Sequence, residues 1–231
     1  MSGIKSPKKR EQYYHSQMAA LKNIDLPQRL GDLNLASPAD GPASLVFFSR
    51  KYLVDNNSIE ASDGRPTTME HKSVLAHYIV NRAAGPLTGE YVPIERLTGL
   101  AALSSGPQSH LTKPLEDSFG NNYALFAEAA KKAGGRHEGK SQSGGEQWHF
   151  EPLPLMPMRV VFFEADEEFP AEIKVLFDSA ATKVVAHECL ELLQMALAAE
   201  LALAAGLTDG CAGCGQHHDV KACCGNHDCG A

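Results

Sequence analysis

Gln147-Trp-His-Phe-Glu-Pro-Leu153 and Arg159-Val-Val-Phe-Phe163, followed by the acidic loop Asp166-Glu-Glu-Phe-Pro-Ala-Glu172 and then Val175-Leu-Phe177, decide the fold. The first two runs are rich in aromatic and β-branched residues and read as strands. No helical pattern separates them. Strand and helix runs therefore do not alternate as they would in βαβ units, and a doubly wound parallel sheet is not expected. The pattern predicts a single α+β domain with antiparallel strands packed on helices.

Working outward, Leu45-Val-Phe-Phe48 and Tyr52-Leu-Val54 also read as strands, and Asp55-Asn-Asn-Ser58 is turn chemistry before Ile59, so a small antiparallel hairpin is expected. Glu11–Asn23 reads as a helix with Tyr14, Met18 and Leu21 at helical spacing, and Pro27 starts a second short helix that runs to Leu33. Thr67-Thr-Met-Glu70 fits a capping box, and the helix after it puts Val74, Leu75, Tyr78 and Ile79 on one face. Another helix, Tyr123–Ala133, ends at Gly134-Gly135, and residues 134–145 read as a Gly/Ser-rich loop. The last helix starts near Ala186, carries Leu190, Leu193, Leu197 and Leu201 on one stripe, and stops at Gly206. The domain is placed at residues 11–206, with residues 1–10 polar, basic and disordered before it and residues 207–231 a flexible tail after it.

Composition narrows the function. The 231 residues are 43% apolar and 21% charged, ordinary globular usage. Lys and Arg number 21 against 28 Asp and Glu, a formal net charge of −7, which argues against nucleic acid as a partner. The longest apolar region, Val184–Leu207, is broken by His187, Glu188, Glu191, Gln194 and Glu200, which speaks against a membrane span. The opening MSGIKSPKKREQYYH has no apolar run of the signal-peptide kind. Five of the six cysteines crowd the end of the chain instead of spreading through it, unlike a disulfide framework. The expectation is a cytoplasmic protein with reduced thiols.

Several local patterns have an ordinary structural explanation. Gly134-Gly-Arg-His-Glu-Gly-Lys-Ser141 matches the letters of a phosphate-binding loop, but a helix precedes it and a strand follows, the reverse of what phosphate binding needs. Asp166, Glu167, Glu168 and Glu172 lack calcium-loop spacing and read as a solvated turn. His77 on an amphipathic helix has no partner identifiable from the sequence. His187-Glu188 reads as helix-start chemistry and Cys189 as a small buried hydrophobe. No nucleophile elbow, zinc-protease helix, dinucleotide fingerprint or haem-attachment motif is present, which weakens the case for an enzyme without closing it.

The tail differs in kind. Cys211, Cys214, His217, His218, Cys223, Cys224, His227 and Cys229 place five thiols and three imidazoles within 19 residues. Thiolate and imidazole are the ligands that zinc and related transition metals prefer, and Cys211-Ala-Gly-Cys214 spaces two sulfurs for one ion. An iron–sulfur cluster fits less well, because the spacing is not a ferredoxin pattern. The other readings are a redox-active tail, disfavoured by the poor pairing of adjacent Cys223 and Cys224, and an inert low-complexity tail. In composition it resembles the cysteine/histidine-rich C-termini of bacterial nickel-handling proteins, including a nickel-delivering prolyl isomerase.

Ser49-Arg-Lys-Tyr-Leu-Val-Asp55, Leu75-Ala-His-Tyr-Ile79, Gly85-Pro-Leu-Thr-Gly-Glu-Tyr-Val92, Phe150-Glu-Pro-Leu-Pro154, Phe163–Glu172 and Leu176-Phe-Asp-Ser-Ala-Ala181 together carry a resemblance. In this order they resemble the bacterial and archaeal family called domain of unknown function 3786, over roughly Glu11–Met195. The resemblance carries no established activity. It implies an anaerobe, and some members resemble fusions to a small four-cysteine iron–sulfur domain of the corrinoid protein type. This chain has no such N-terminal cluster and has the C-terminal tail instead.

The reading that follows is a metal-binding accessory protein that stores or delivers nickel, zinc or a related ion to a metalloenzyme or maturation factor. The alternatives are an interaction module of an anaerobic iron–sulfur or corrinoid system, and an enzyme with a site near His77 and the 166–172 loop.

Overall fold

The computed structural model describes residues 6–35, 42–65, 67–83, 85–97, 109–120 and 122–207. The element order is α1 (Pro7–Lys22), α2 (Leu26–Asp32), β1 (Ala43–Phe47), β2 (Arg50–Val54), β3 (Ile59–Ala61), α3 (Met69–Asn81), β4 (Tyr91–Pro93), α4 (Ile94–Leu97), α5 (Ser109–Phe119), α6 (Tyr123–Lys132), β5 (Arg136–Lys140), β6 (Glu146–Phe150), β7 (Met158–Phe163), β8 (Glu172–Asp178), α7 (Ala181–Val184) and α8 (His187–Ala204). The strands form two antiparallel sheets, ordered β1-β2-β3 and β4-β8-β7-β6-β5.

Alternation along the strands explains why the larger sheet has one buried face. Trp148 and Phe150 on β6, Met158, Val160 and Phe162 on β7, and Ile173, Val175 and Phe177 on β8 are all buried. Phe126 of α6 meets this face, with its ring 6.1 Å from Trp148 and 5.1 Å from Phe162, and Phe119 of α5 stands edge-on to Phe126 at 5.7 Å. Helix α8 runs through the middle, in contact with α3, α5 and α6. It buries Cys189, Leu190, Leu192, Leu193, Ala196, Leu197 and Leu201, so it is apolar nearly all round, as a central helix must be.

Helix α1 starts four residues before the expected Glu11. Ser6 accepts the Lys9 N–H and Pro7 occupies the first turn, a strong start signal hidden by the basic run that follows. Arg10, expected to be disordered, lies against the body, with Nη1 3.7 Å from Met195 Sδ. Tyr13, rather than Tyr14, packs on the core. The capping box is also corrected by one residue. Thr68 is the N-cap and accepts from His71 N–H, while Thr67 accepts from Ala61 N–H, leaving Glu70 in the first turn of α3. The hairpin gains a third strand, β3. Residues 136–140, expected in a loop, form β5, with a bulge between His137 and Gly139 where Gly139 has φ +83°.

The β1–β2 turn is unusual. Phe48 and Ser49 both have positive φ, 48° and 68°, in a two-residue connection that ordinarily takes Asn-Gly. Phe48 is held by packing edge-on against Phe150. Gly134 lies opposite the turn at φ +85°, a conformation that favours glycine, and a Cβ there would meet Ser49 Oγ at 2.3 Å unless that hydroxyl turned away. The Pro86–Val92 stretch is tied to β8 by the buried Asp178, whose carboxylate accepts from Thr88 N–H, Thr88 Oγ1, Gly89 N–H and Ala180 N–H. Burial raises the Asp178 carboxyl, but these hydrogen bonds outweigh it and hold it below the usual carboxylate range.

Candidate functional site

Cys211, Cys214, His217, His218, Cys223, Cys224, His227 and Cys229 lie outside the described residues. Helix α8 ends before them. Gly206 (φ +71°) ends α8, with Gly206 N–H bonding Leu203 O and Leu207 N–H bonding Ala202 O, a complete Schellman cap. Leu207 is 47% exposed. Cys189, the one cysteine among the described residues, is fully buried. Burial first, and the nearby Glu188 second, push its thiol well above the ordinary range, so it is an inert packing group as expected.

His77 sits under α1, 5% exposed. Ala186, just before α8, donates its N–H to His77 Nε2 at 3.2 Å. That bond needs the Nε2 lone pair, so the proton is on Nδ1, 2.7 Å from Tyr13 Oη and 3.2 Å from Gln17 Oε1. The Tyr13 ring stacks on the imidazole with centroids 5.9 Å apart. Burial lowers the His77 pKa to about 4, and the nearby Glu188, which acts in the opposite direction, does not offset it. The imidazole is therefore neutral near pH 7, and its hydrogen-bond partners are neutral. Tyr13, desolvated and facing Cys189 and Glu188, is raised above the normal phenol range. His77 and the 166–172 loop are not brought together. In that loop Asp166 Oδ1 accepts from the N–H groups of Glu168 and Phe169, and Glu172 pairs with Lys174 at 3.1 Å, as in an ordinary turn. His187 Nε2 lies 3.4 Å from Glu191 Oε1 one turn along α8, consistent with helix-start chemistry. The Gly134–Ser141 match is a helix cap running into β5, whose ladder engages the backbone a phosphate would need.

The densest charged constellation was not picked out from the sequence. Arg50 at the start of β2 places Nη1 2.8 Å from Glu200 Oε1 of α8 and pairs on its other side with Asp63 at 3.3 Å. His71 Nε2 is 2.9 Å from the same Glu200 oxygen, and Tyr52 Oη donates to it at 3.3 Å. His71 Nδ1 is 2.6 Å from Thr68 Oγ1, the α3 cap. Arg50, His71 and Glu200 are at most 9% exposed. Burial alone would raise the Glu200 carboxyl, but His71 and Arg50 hold it below its ordinary value. Asp63 is likewise lowered, its desolvation outweighed by Arg65 and Arg50. This network joins the small sheet, α3 and α8 at one point. Its sequence signal was a glutamate inside a leucine-rich helix.

Among the described residues no group of three His, Cys, Asp or Glu side chains is placed to hold a metal ion. No helix there is long and apolar enough to cross a membrane. Fold and site together define an α+β domain built round a central helix, with two buried polar clusters on α3. The chain belongs to the family described as domain of unknown function (DUF3786), which it matches over residues 25–200. Helix α1 and the Cys/His-rich tail lie outside that span. No curated protein and no solved structure matches the chain.

Proposed function

We propose that this protein is a cytoplasmic metal-binding accessory that stores or delivers nickel, zinc or a related transition-metal ion through Cys211, Cys214, His217, His218, Cys223, Cys224, His227 and Cys229. The observation that carries this reading is the density of soft and borderline ligands in that short span. Two features of the body support it. The domain ends in a completed helix cap at the surface, so ligands beyond Leu207 need not be shared with the core. The one described cysteine is sealed and protonated. A metalloenzyme or its maturation factor is the partner that such a tail would serve.

The test is competition titration of Zn²⁺ and Ni²⁺ into the full chain under reducing, anaerobic conditions. It is compared with a variant in which all five tail cysteines become serine. The variant is expected to lose tight binding while keeping its circular dichroism. Affinity of the wild type is expected to fall steeply from pH 7 toward pH 5, because thiols of pKa about 8.5 must release protons to ligate. Replacing the three tail histidines by alanine is expected to weaken Ni²⁺ more than Zn²⁺, since thiolates alone can hold zinc. Unchanged affinity in the serine variant overturns the proposal.

A further inference from the structure

The two sheets end in β1, β3, β4 and β5. On β3 the outward Ala61 N–H is taken by Thr67 Oγ1 at 2.9 Å. The β4 edge is three residues long, and β5 has its bulge and the charges of Arg136, Glu138 and Lys140. These are the devices that keep edge strands from pairing. Strand β1, Ala43-Ser-Leu-Val-Phe47, has no charge, no proline and no bulge. Its register tells which backbone groups are free. Lys51 O accepts from Ser62 N–H on the β3 side, so the backbone of Arg50, Tyr52 and Val54 faces β1. Their partners Phe47, Leu45 and Ala43 bond back, which turns the N–H and C=O of Ser44 and Val46 away from the sheet. Among the described residues nothing bonds these groups.

Ser44 and Val46 line a groove of about 590 Å³ whose far wall is Pro152-Leu-Pro154. That wall cannot complete the sheet, because its prolines have no N–H and Pro154 O is engaged by Tyr78 Oη at 3.1 Å. Val46 is 58% exposed, diagonal to the exposed Leu53 on the same face. Lys51, directly across from Val46, lines the groove, and so does Glu151. Neither has an ion-pair partner among the described residues.

We infer that the β1 edge is a docking site for an extended peptide segment of a partner protein, which adds a fourth strand by pairing with Ser44 and Val46 and carries an acidic side chain for Lys51 and a basic one for Glu151. The free backbone sets the conformation, since an extended chain presents N–H and C=O groups at the matching spacing. The far wall sets the occupant. A second copy offering its own β1 would bring β2 behind it toward Pro152 and Pro154, whereas a lone segment brings no strand behind it. Alternate side chains of the segment meet that wall and are apolar. The surface lies in the body and does not depend on the tail ligands.

The experiment selects binders of the full chain from a random heptapeptide library displayed on phage, and measures the enriched peptides by fluorescence anisotropy. They are expected to alternate apolar residues and to carry one acidic and one basic side chain. Val46→Pro removes an outward N–H without touching the β2 ladder, so it is expected to keep its circular dichroism and to weaken binding about tenfold. N-methylation of the peptide amides needs no protein variant and is expected to weaken binding at alternate positions only. Lys51→Glu is expected to weaken binding about threefold. A library that yields no binder overturns the inference. So does binding that survives both Val46→Pro and N-methylation, or that is indifferent to Lys51→Glu. Dimerisation of the wild type that Val46→Pro abolishes assigns the edge to a second copy and overturns it as well.

Discussion

Helix α3 carries two buried histidines, His71 and His77, that meet opposite surroundings. His71 faces a charged network in which Glu200 receives Arg50, His71 and Tyr52 on one oxygen. His77 faces the hydroxyl of Tyr13, the amides of Gln17 and Asn81 and the backbone of Ala186, all of them neutral. The first cluster buries charges and compensates them. The second buries a group that stays neutral. Each also fastens a different part of the chain: Glu200 ties the small sheet to the central helix, and His77 ties α1 to the start of that helix. The contrast teaches that buried polar groups are compensated in two ways here, by opposite charges round Glu200 and by neutral hydrogen-bond partners round His77.

The largest expected effect follows from the charged cluster. Glu200→Ala leaves Arg50 and His71 buried without their shared carboxylate. Breaking a buried pair in this way costs about 3–5 kcal/mol, and the lower end is expected because Asp63 still holds Arg50. Urea unfolding at pH 7 measures it. A loss below about 1 kcal/mol would mean that Asp63 and water suffice, and the contrast between the clusters would collapse.

The second effect is in pH. An unfolded histidine binds a proton below about pH 6.5, whereas His77 in the folded protein binds one only near pH 4. Between those values protons favour the unfolded chain, so stability falls as pH drops from 6.5 toward 4, by up to roughly 3 kcal/mol. Glu200 acts in a lower window. Its folded value is depressed, so its contribution is present above the unfolded carboxylate value of about 4.3 and is lost as pH falls through the folded one. Urea unfolding from pH 7 to pH 4 is expected to show the slope in the wild type and a flatter line in His77→Gln. An equal slope in both would place the titration elsewhere.

The elements were legible where pattern and punctuation agreed. Leu190, Leu193, Leu197 and Leu201 marked α8, Gly134 and Gly206 marked helix ends, and alternation from Gln147 to Phe163 marked the antiparallel core. What failed did so for local reasons. Thr67 and Thr68 compete for one cap, and the backbone of Ala61 claims the first. Pro114 inside α5 masked a helix that tertiary packing sustains. The β5 strand was hidden by its bulge glycine, and β4 is only three residues long. For the site, the sequence displays the tail ligands openly, but the Arg50–Glu200 pair spans 150 positions. Glu200 shows only as a charge in an apolar run, and no periodicity tells which arginine answers it.

The smallest expected effect tests the neutral cluster alone. Tyr13→Phe keeps the ring that stacks on His77 but removes the hydroxyl 2.7 Å from Nδ1. The Nδ1 proton is left with Gln17 Oε1 at 3.2 Å, so one hydrogen bond is lost without orphaning the donor, and the cost is about 1 kcal/mol at pH 7. The pH slope between 6.5 and 4 is expected to persist in this variant, because desolvation, not the Tyr13 hydroxyl, is the main cause of the low His77 value. Urea unfolding at several pH values reads both quantities at once. A slope lost together with the hydroxyl would show that α1 covers His77 only through that bond, and that His77 is then solvated. A slope kept at a cost near 1 kcal/mol locates the neutrality of His77 in its packing beneath α1, where no charged side chain hydrogen-bonds the ring as Glu200 does that of His71.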